Sequence, residues 1–261
     1  MSTSAISGRG PTWMLAVLLI AGAGCSIPID TGLGAPRATA PVVAQEPVVA
    51  KEPAAEAGAQ AYQMGDAEGG RKKLEQAESD ADDAGKKLEL ANTMTGIAVD
   101  QTRRGDHQEA LRLHQRALEL REEVYGKSHP QIAETLNFLG ASYYQLQRYD
   151  ESEAAFRRAI EVRKRELGPE HRLTALSLNN LAFFYAGRER YTEAEPLFEE
   201  SIRILSASPD ATSAEKTRAL DNYAAMLLDA GRTEDASRIQ QRSAALRTER
   251  KRLEDILETT R

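Results

Sequence analysis

The sequence predicts an all-α protein, a solenoid of about four helix-turn-helix repeats behind a disordered N-terminal spacer. Three observations lead to this prediction. Hydrophobic residues make up 41%, aromatic residues 5% and charged residues 28% of the chain, which suits stacked amphipathic helices better than a thick sheet core. Prolines and glycines are concentrated in the first 70 residues, and beyond them similar segments recur every 42 residues.

The first element is an apolar segment of about a dozen residues, which begins at Trp13 and ends at Cys25. Arg9 is the only charged side chain before Asp30. A run this short falls below the ~20 residues that span a bilayer as a helix, and it is typical of the apolar part of an export signal. We therefore predict a signal peptide over residues 1–24 and an exported protein.

Cys25 is the only cysteine, which excludes an intramolecular disulfide. It follows Gly22, Ala23 and Gly24, and this arrangement resembles the lipobox of bacterial lipoproteins, although Gly22 stands where that family usually has Leu, Val or Ile. The resemblance implies that Cys25 is the lipid attachment residue, in a protein of the bacterial cell envelope. Ser26 in place of Asp favours an outer-membrane lipoprotein that faces the periplasm. An ordinary export signal and an uncleaved anchor are the alternatives.

A spacer is predicted over residues 25–60, where five prolines lie among Ala, Val, Gly and Glu without a hydrophobic period. Proline disrupts helix interiors and favours extended chain, so we interpret this segment as a semi-extended tether. Residues 61–85 are polar and interrupted by glycines. We predict a linker there, with a short helix near residues 71–80.

The repeat is clearest at one position that recurs at intervals of 42 residues, at Met94, Leu136, Leu178 and Leu220. Flanking residues keep the same interval, and agreement over three intervals indicates duplicated structural units. We therefore predict a repeat domain over residues 86–258. Its repeats are expected at about 86–127, 128–169, 170–211 and 212–258.

Two apolar stripes in each unit predict a pair of helices. Leu136, Leu139, Gly140 and Tyr143 are spaced i, i+3, i+4 and i+7, which places them on one face of a helix. A second stripe begins at Ser152, and the small residues in the two stripes predict a close approach of the two helices. Such a pair buries its apolar faces only by stacking on neighbouring pairs.

The connector at residues 126–130 reads Gly-Lys-Ser-His-Pro, and a related segment recurs 42 residues later. Together with the helix pairs, this pattern resembles the tetratricopeptide repeat, in the longer variety typical of kinesin light chains. The resemblance covers about residues 86–247. It implies a right-handed α-solenoid in which the first helix of each pair lines a concave groove.

Polar residues distinguish the first and last predicted units. His114 in the first unit and Gln240 in the last occupy the position of Phe156 in the second unit. Because the outer face of a terminal repeat meets water, these replacements predict that both units cap the array.

Asparagines and aromatic residues stand out among the positions that the family pattern assigns to the groove. An asparagine amide both donates and accepts, so it can hold a peptide backbone without demanding a particular side chain. Kinesin-light-chain-like arrays use such asparagines to hold extended peptides, and the aromatic residues would form apolar pockets between them. Ordinary packing between repeats is the alternative. The candidate residues for binding a protein or peptide are Asn137, Phe138, Tyr144, Asn179, Asn180, Phe183, Arg218, Asp221 and Asn222.

No constellation of residues predicts catalysis, a metal site or a cofactor. The sequence lacks the Gly-x-Ser-x-Gly, HExxH and phosphate-binding Gly-rich patterns. His129 and His171 occupy equivalent connector positions, which favours a role at helix starts, and His107 and His114 have no cysteine partner. The net charge of -6 comes from interspersed charges, so no basic stripe indicates nucleic acid.

These observations predict a membrane-tethered, non-catalytic scaffold that binds a protein or peptide partner in the groove and takes no small-molecule substrate. One alternative is an assembly factor or structural subunit of an envelope complex, acting through homotypic or end-to-end stacking. A remote alternative is an enzyme or an accessory subunit of one. Occupation of the groove by the protein's own spacer stays open.

Overall fold

The structure, a computed structural model, describes residues 54–259. The predicted signal peptide (1–24), Cys25 and most of the predicted tether lie outside these residues. Within them the chain forms ten α-helices and no strand, which confirms the all-α prediction. In chain order the helices are α1 (Ala54–Gln63), α2 (Ala67–Asp80), α3 (Ala84–Arg104), α4 (His107–Tyr125), α5 (Pro130–Gln145), α6 (Tyr149–Leu167), α7 (Arg172–Gly187), α8 (Tyr191–Ala207), α9 (Ser213–Asp229) and α10 (Thr233–Thr259).

The helices pack as consecutive pairs, and the pairs stack into a helical repeat solenoid. The second helix of each pair packs on the first helix of the next pair. First helices also contact one another, α1 with α3, α5 with α7 and α7 with α9. Elements on the inside of a curved array lie closest together, so the first helices form its inner side.

Helices α1 and α2 are an additional pair in the segment that we expected to be tether and linker, so the array has five pairs rather than four. Gly58 and Gly70 permit close packing within helices, whereas Gly65, with φ +86°, lies in the turn between α1 and α2. A Cβ atom on Gly70 would lie 2.6 Å from Tyr62 Cδ2, and one on Gly58 would lie 2.9 Å from Leu74 Cδ2. Tyr62 and Leu74 are each only 2% exposed. The prediction of a linker over residues 61–85 is therefore wrong, whereas the short helix expected near residues 71–80 is part of α2.

A buried carboxylate joins this additional pair to α4. Glu109 is 6% exposed and accepts hydrogen bonds from the Tyr62 hydroxyl and, at 2.7 Å, from Arg112. Arg71 of α2 lies 3.4 Å away in an ion pair. Burial by itself raises the pKa of Glu109, but the hydrogen bonds from Arg112 and Tyr62 hold it below its ordinary value. A buried charge is tolerated only when it is paired in this way, so the cluster specifies the docking of α1 and α2.

The unit that we expected to cap the N-terminal end, the pair α3 and α4, is consequently an internal one, because α1 and α2 precede it. His114 is 2% exposed and stacks on Phe138, with ring centroids 5.2 Å apart. The prediction that His114 faces water in a terminal unit is wrong, because a helix pair precedes its own.

The C-terminal unit does cap the array. Phe198, Ile202 and Leu205 of α8 are at most 7% exposed beneath the next pair. The residues 42 positions later on α10 are Gln240, Ala244 and Arg247, and all three are exposed. The last helix therefore presents a polar outer face that no further repeat covers.

The small residues within a pair bring its two helices into close contact, as predicted. The Ser152 hydroxyl of α6 donates to the Gly140 carbonyl of α5 at 2.7 Å. A Cβ atom on Gly140 would lie 2.7 Å from Phe156 Cε1. A contact of the same kind occurs at a different position of the next pair, where the Ser201 hydroxyl donates to the Ala175 carbonyl at 2.7 Å.

The connector histidines begin the first helices. The Nδ1 atoms of His129 and His171 accept from the backbone N–H groups of Gln131 (3.3 Å) and Leu173 (3.1 Å), respectively. An N-cap acceptor satisfies one of the amides that a helix start leaves unpaired. This contact accounts for the recurrence of histidine in the connectors without a metal.

Candidate protein-binding surface

The candidate surface lies on the first helices α5, α7 and α9, on the side opposite to their partner helices. Gly140 marks the side of α5 that meets α6, and Phe138 and Ala141 point to other sides of the helix. Several side chains along these three helices remain partly accessible. We define the inner surface by the half-buried residues Asn137, Phe138, Ala141, Leu176, Asn180, Phe183, Arg218 and Ala225.

Two of the predicted asparagine clamps do not lie on this surface. Asn179 and Asn222 are each 3% exposed, and the Asn222 amide donates to Asn179 Oδ1 at 3.4 Å. This bond joins α7 to α9. Asn179 and Asn222 are therefore contacts between repeats, and the prediction that they hold a peptide backbone is not supported.

Asn137 and Tyr144 also connect neighbouring repeats. The Asn137 amide donates to Ser177 Oγ at 3.1 Å, and the Tyr144 hydroxyl donates to the Gly187 carbonyl at 3.2 Å. Both side chains are half-buried. The structure thus places them at the edge of the inner surface, with polar atoms engaged by α7.

Asp221 is held by the last helix. Its carboxylate accepts from Ser243 Oγ at 2.7 Å and from the Arg247 guanidinium, both on α10. Asp221 is half-buried and joins α9 to its partner helix. Its carboxylate is therefore engaged within its own pair, and its role in binding a partner stays a prediction.

Phe138, Asn180 and Phe183 remain on the inner surface. Each is half-buried, and Phe183 packs against the main apolar core while keeping part of its ring accessible. Phe138 is supported from below by the imidazole of His114. These residues present apolar area beside an amide, a combination typical of sites that bind protein segments.

Arg218 is the charged member of the inner surface. Burial lowers the pKa of its guanidinium, while Glu215 raises it in part. Within residues 54–259 Arg218 makes no hydrogen bond and no ion pair, although Glu215 itself pairs with Arg172. A partly desolvated cation without a carboxylate in contact attracts an anionic group strongly.

Two buried arginines that we did not predict lie on the second helices α4 and α6 and form hydrogen bonds to neighbouring first helices. Arg121 donates to Asn92 Oδ1 at 2.8 Å, and Arg163 donates to Ser177 Oγ at 3.0 Å and to the Leu173 carbonyl at 2.7 Å. Both are 6% exposed. They lie 42 residues apart, and this interval is the signal in the sequence that identifies them as equivalent.

The part of the chain that the structure describes contains no cluster of three or more His, Cys, Asp or Glu side chains arranged to hold a metal ion. No helix between residues 54 and 259 is long and apolar enough to cross a membrane.

A family profile for the tetratricopeptide repeat matches this chain in four overlapping segments, residues 54–123, 89–165, 131–183 and 173–249. The matched region begins at α1, in agreement with five helix pairs. No curated protein matches the sequence significantly.

Solved structures share the architecture. BtubC (BKLC) from P. vanneervenii superposes with a TM-score of 0.60 at 20% sequence identity, over 76% of this chain and 78% of that one. A candidate kinesin light chain from Podosopora anserina, with nearly identical TPR-like repeats, gives a TM-score of 0.55 at 18% identity, over 76% of this chain and 95% of that one. At sequence identities this low, the structural similarity shows a common fold and nothing about function.

Proposed function

Because this chain belongs to the tetratricopeptide repeat family, we propose that it is a non-catalytic scaffold that binds a protein or peptide segment along the inner surface. Proteins of this family typically act as protein-binding scaffolds. The observation that carries the proposal is Arg218, a half-buried guanidinium that has no carboxylate in contact among residues 54–259. It lies on the same side of the array as the accessible rings of Phe138 and Phe183. The bound segment is expected to place an acidic group on Arg218.

Site-specific photo-crosslinking tests this proposal. A photoreactive phenylalanine replaces Ala141 or Ala225, which are half-buried on the inner surface, and the protein is irradiated in its host cell. Both positions are expected to capture the same partner, identified by mass spectrometry. The matched control is the same replacement at Ala154, an exposed alanine on the second helix α6, which is expected to capture none of it.

A charge substitution at Arg218 distinguishes a partner that binds through this residue from a protein that is crosslinked only because it lies nearby. Arg218→Gln should lower the yield of the Ala225 crosslink by about ten-fold, the effect of losing one charge-assisted hydrogen bond. Arg165→Gln, at an exposed position of α6, is the control and should change nothing. Equal capture from Ala154, or an unchanged yield with Arg218→Gln in a normally folded protein, would contradict the proposal.

We further propose that Cys25 carries acyl chains that hold the scaffold on the bacterial outer membrane, facing the periplasm. The support is the apolar segment and the small residues that precede this single cysteine. Buried acyl chains contribute about 0.8 kcal/mol per CH₂ to membrane binding. Cys25→Ser should therefore move the protein from the membrane fraction to the soluble fraction and abolish fatty-acid labelling. Labelling that persists in the variant would refute lipidation at this residue.

End-to-end stacking, the alternative function, finds less support. A further repeat or a second copy would need an apolar face on α10, but Gln240 and Arg247 occupy the positions of the buried Phe198 and Leu205. Arg247 is paired with Asp221, and burying this charged group together with an amide at such a contact is unfavourable. The C-terminal end of the array therefore favours a monomeric array.

A further inference from the structure

A row of three side chains crosses the inner side of the array from one repeat to the next. Glu134, Leu176 and Arg218 are equivalent residues, 42 positions apart, on the first helices α5, α7 and α9. Leu176 and Arg218 belong to the inner surface. Glu134 precedes Asn137 and Phe138 by three and four residues, so it lies on the same face of α5 as they do. The row therefore presents an acid, an apolar side chain and a base in succession.

The acid at one end of this row has no partner among the described residues. Glu134 is exposed and makes neither a hydrogen bond nor an ion pair within residues 54–259. The buried Arg121 acts on Glu134 through its charge without contacting it. The Arg121 guanidinium donates to Thr135 and Asn92 instead. The carboxylate oxygens of Glu134 thus remain available to an external donor.

The base at the other end is equally uncommitted, because the charges next to it are paired within the array. Glu215, three residues before Arg218, pairs with Arg172 of α7. Asp221, three residues after Arg218, is held by Ser243 and Arg247 of α10, as described above. Neither carboxylate contacts the Arg218 guanidinium. The two ends of the row thus carry opposite charges that no residue between 54 and 259 neutralises by contact.

The length of the row fixes the spacing of complementary charges in a ligand. Helix α7 packs against both α5 and α9, and the axes of packed helices lie about 8–10 Å apart, so the ends of the row are ~16–20 Å apart. An extended chain advances ~3.3 Å per residue, so about six residues span this distance. Side chains two, four and six positions apart point to the same face of an extended segment. Two charges six residues apart can therefore reach both ends of the row.

Asn180 favours an extended segment over a helical one. It follows Leu176 by one helical turn, is half-buried, and makes no hydrogen bond within residues 54–259. Its amide can both donate and accept, so it can pair with the backbone of a segment that crosses the row. A helix uses its own backbone groups internally, whereas an extended segment leaves them free.

We propose that the inner surface selects an extended segment of a partner protein that carries opposite charges six residues apart. A lysine or arginine of the segment pairs with Glu134, an aspartate or glutamate pairs with Arg218, and apolar side chains between them pack on Leu176. This inference rests on the proposed function and names the chemistry of the partner. A segment with charges of one sign meets repulsion at one end of the row.

The protein's own spacer does not have this pattern. The charged residues of positions 25–53 are Asp30, Arg37, Glu46, Lys51 and Glu52. Its neighbouring opposite charges separated by an apolar stretch lie seven residues apart (Asp30 and Arg37) or five residues apart (Glu46 and Lys51). An odd separation places the two side chains on opposite faces of an extended segment. The occupant is therefore a segment of another protein.

The test titrates the full chain, carrying Cys25→Ser, with four acetylated and amidated heptapeptides and follows the methyl NMR signals of Leu176. The mixed-charge probe is Lys-Ser-Leu-Ser-Leu-Ser-Glu, and its reversed sequence covers the opposite chain direction. The two controls carry Glu at both ends or Lys at both ends. The tighter mixed-charge probe should bind about three-fold more tightly than the diacidic control, which loses an exposed ion pair. It should bind about ten-fold more tightly than the dibasic control, which loses a half-buried one.

Three variants locate this selectivity. Glu134→Lys should make the diacidic peptide the tightest of the four, and Arg218→Gln should remove the difference between the mixed-charge and dibasic peptides. Glu161→Lys, at an exposed position of the second helix α6, changes the net charge as Glu134→Lys does and should leave the order of affinities unchanged. If Glu134→Lys does not fold, Glu134→Gln replaces it and should bind the mixed-charge and diacidic peptides equally.

The results separate this inference from the proposed function. Equal affinities for mixed and like charges, an order that Glu134→Lys leaves unchanged, or no saturable shifts up to the solubility limit would overturn the inference, even if Ala141 and Ala225 capture a partner. A captured segment without opposite charges six residues apart would overturn it as well. Absence of capture beside intact selectivity among the peptides would contradict only the proposed function.

Discussion

His114 illustrates how one residue departs from the repeat without disturbing it. It occupies the position that holds Phe156 and Phe198 in the next two pairs. Burial, together with the nearby charge of Arg121, lowers its pKa to about 3, so the imidazole is neutral in the folded protein. Its Nδ1 atom finds no hydrogen-bond partner among residues 54–259. The neutral imidazole thus packs in the place of a phenylalanine ring, and its buried nitrogen without a hydrogen bond lowers stability.

This burial makes stability depend on pH. The unfolded imidazole binds a proton below pH 6.5, whereas the folded one stays neutral until about pH 3. The contribution of neutral His114 is therefore complete above pH 6.5 and is lost progressively as the pH falls towards 3. At pH 5 the expected loss is about 2 kcal/mol of unfolding free energy.

The measurement compares urea unfolding of the natural protein and His114→Phe at pH 7 and pH 5. The variant carries the phenylalanine that the next two repeats have at this position. Between pH 7 and pH 5 its free energy of unfolding should fall by about 2 kcal/mol less than that of the natural protein. Other titrating groups affect both proteins equally and cancel. The same pH dependence in both proteins would show that His114 is not buried in its neutral form.

At the scale of the helix pair, the separation between the two helices depends on small residues at the crossing. Gly140 meets the ring of Phe156, and Ser152 donates to the Gly140 carbonyl from the opposite helix. Glycine ordinarily weakens a helix by about 1 kcal/mol relative to alanine. Its presence in the middle of α5 is explained by the tertiary contact alone.

Two matched substitutions test this explanation. Gly140→Ala should lower the unfolding free energy by about 1–3 kcal/mol, because the added methyl group overlaps the Phe156 ring. Gly96→Ala, in the middle of α3, should raise it by about 0.5–1 kcal/mol, because nothing lies within 4 Å of the added atom. Thermal melting of both variants shows whether each unfolding free energy falls or rises. A stabilised Gly140→Ala would show that α5 and α6 move apart without loss of stability.

At the scale of the whole molecule, each pair contacts only its neighbours, so stability accumulates along the stack. The two ends differ. The first pair carries the buried partner of Glu109 and covers an apolar face of α3, which includes Leu90 and Met94. Residues 251–259 of the last helix are exposed wherever their side chains are described.

Two truncations should therefore have unequal effects. Removing residues 54–83 uncovers Leu90, Met94 and Glu109, and it should lower the urea midpoint and increase binding of a hydrophobic dye. Removing residues 251–261 is the control and should leave the midpoint nearly unchanged. A first truncation that is as stable as the intact array would mean that α1 and α2 are not an integral pair.

The sequence by itself determined the repeating unit. The 42-residue interval, the spacing of Leu136, Leu139 and Gly140, and the connector histidines are local patterns, and local patterns follow from helix geometry and capping. They predicted the helix pairs and the polar C-terminal end, and the resemblance to tetratricopeptide repeats implied which helices lie on the inner side. The first pair was missed because its glycines are typical of linkers when the residues that they contact are unknown.

Only the tertiary structure decided which polar residues face the inner surface. Asn137 and Asn179 are equivalent in sequence, yet Asn137 is half-buried and Asn179 is enclosed by its bond to Asn222. How deeply such an asparagine is buried depends on the distance and the side chains of the neighbouring repeat. The segment that contains the asparagine does not encode either of them.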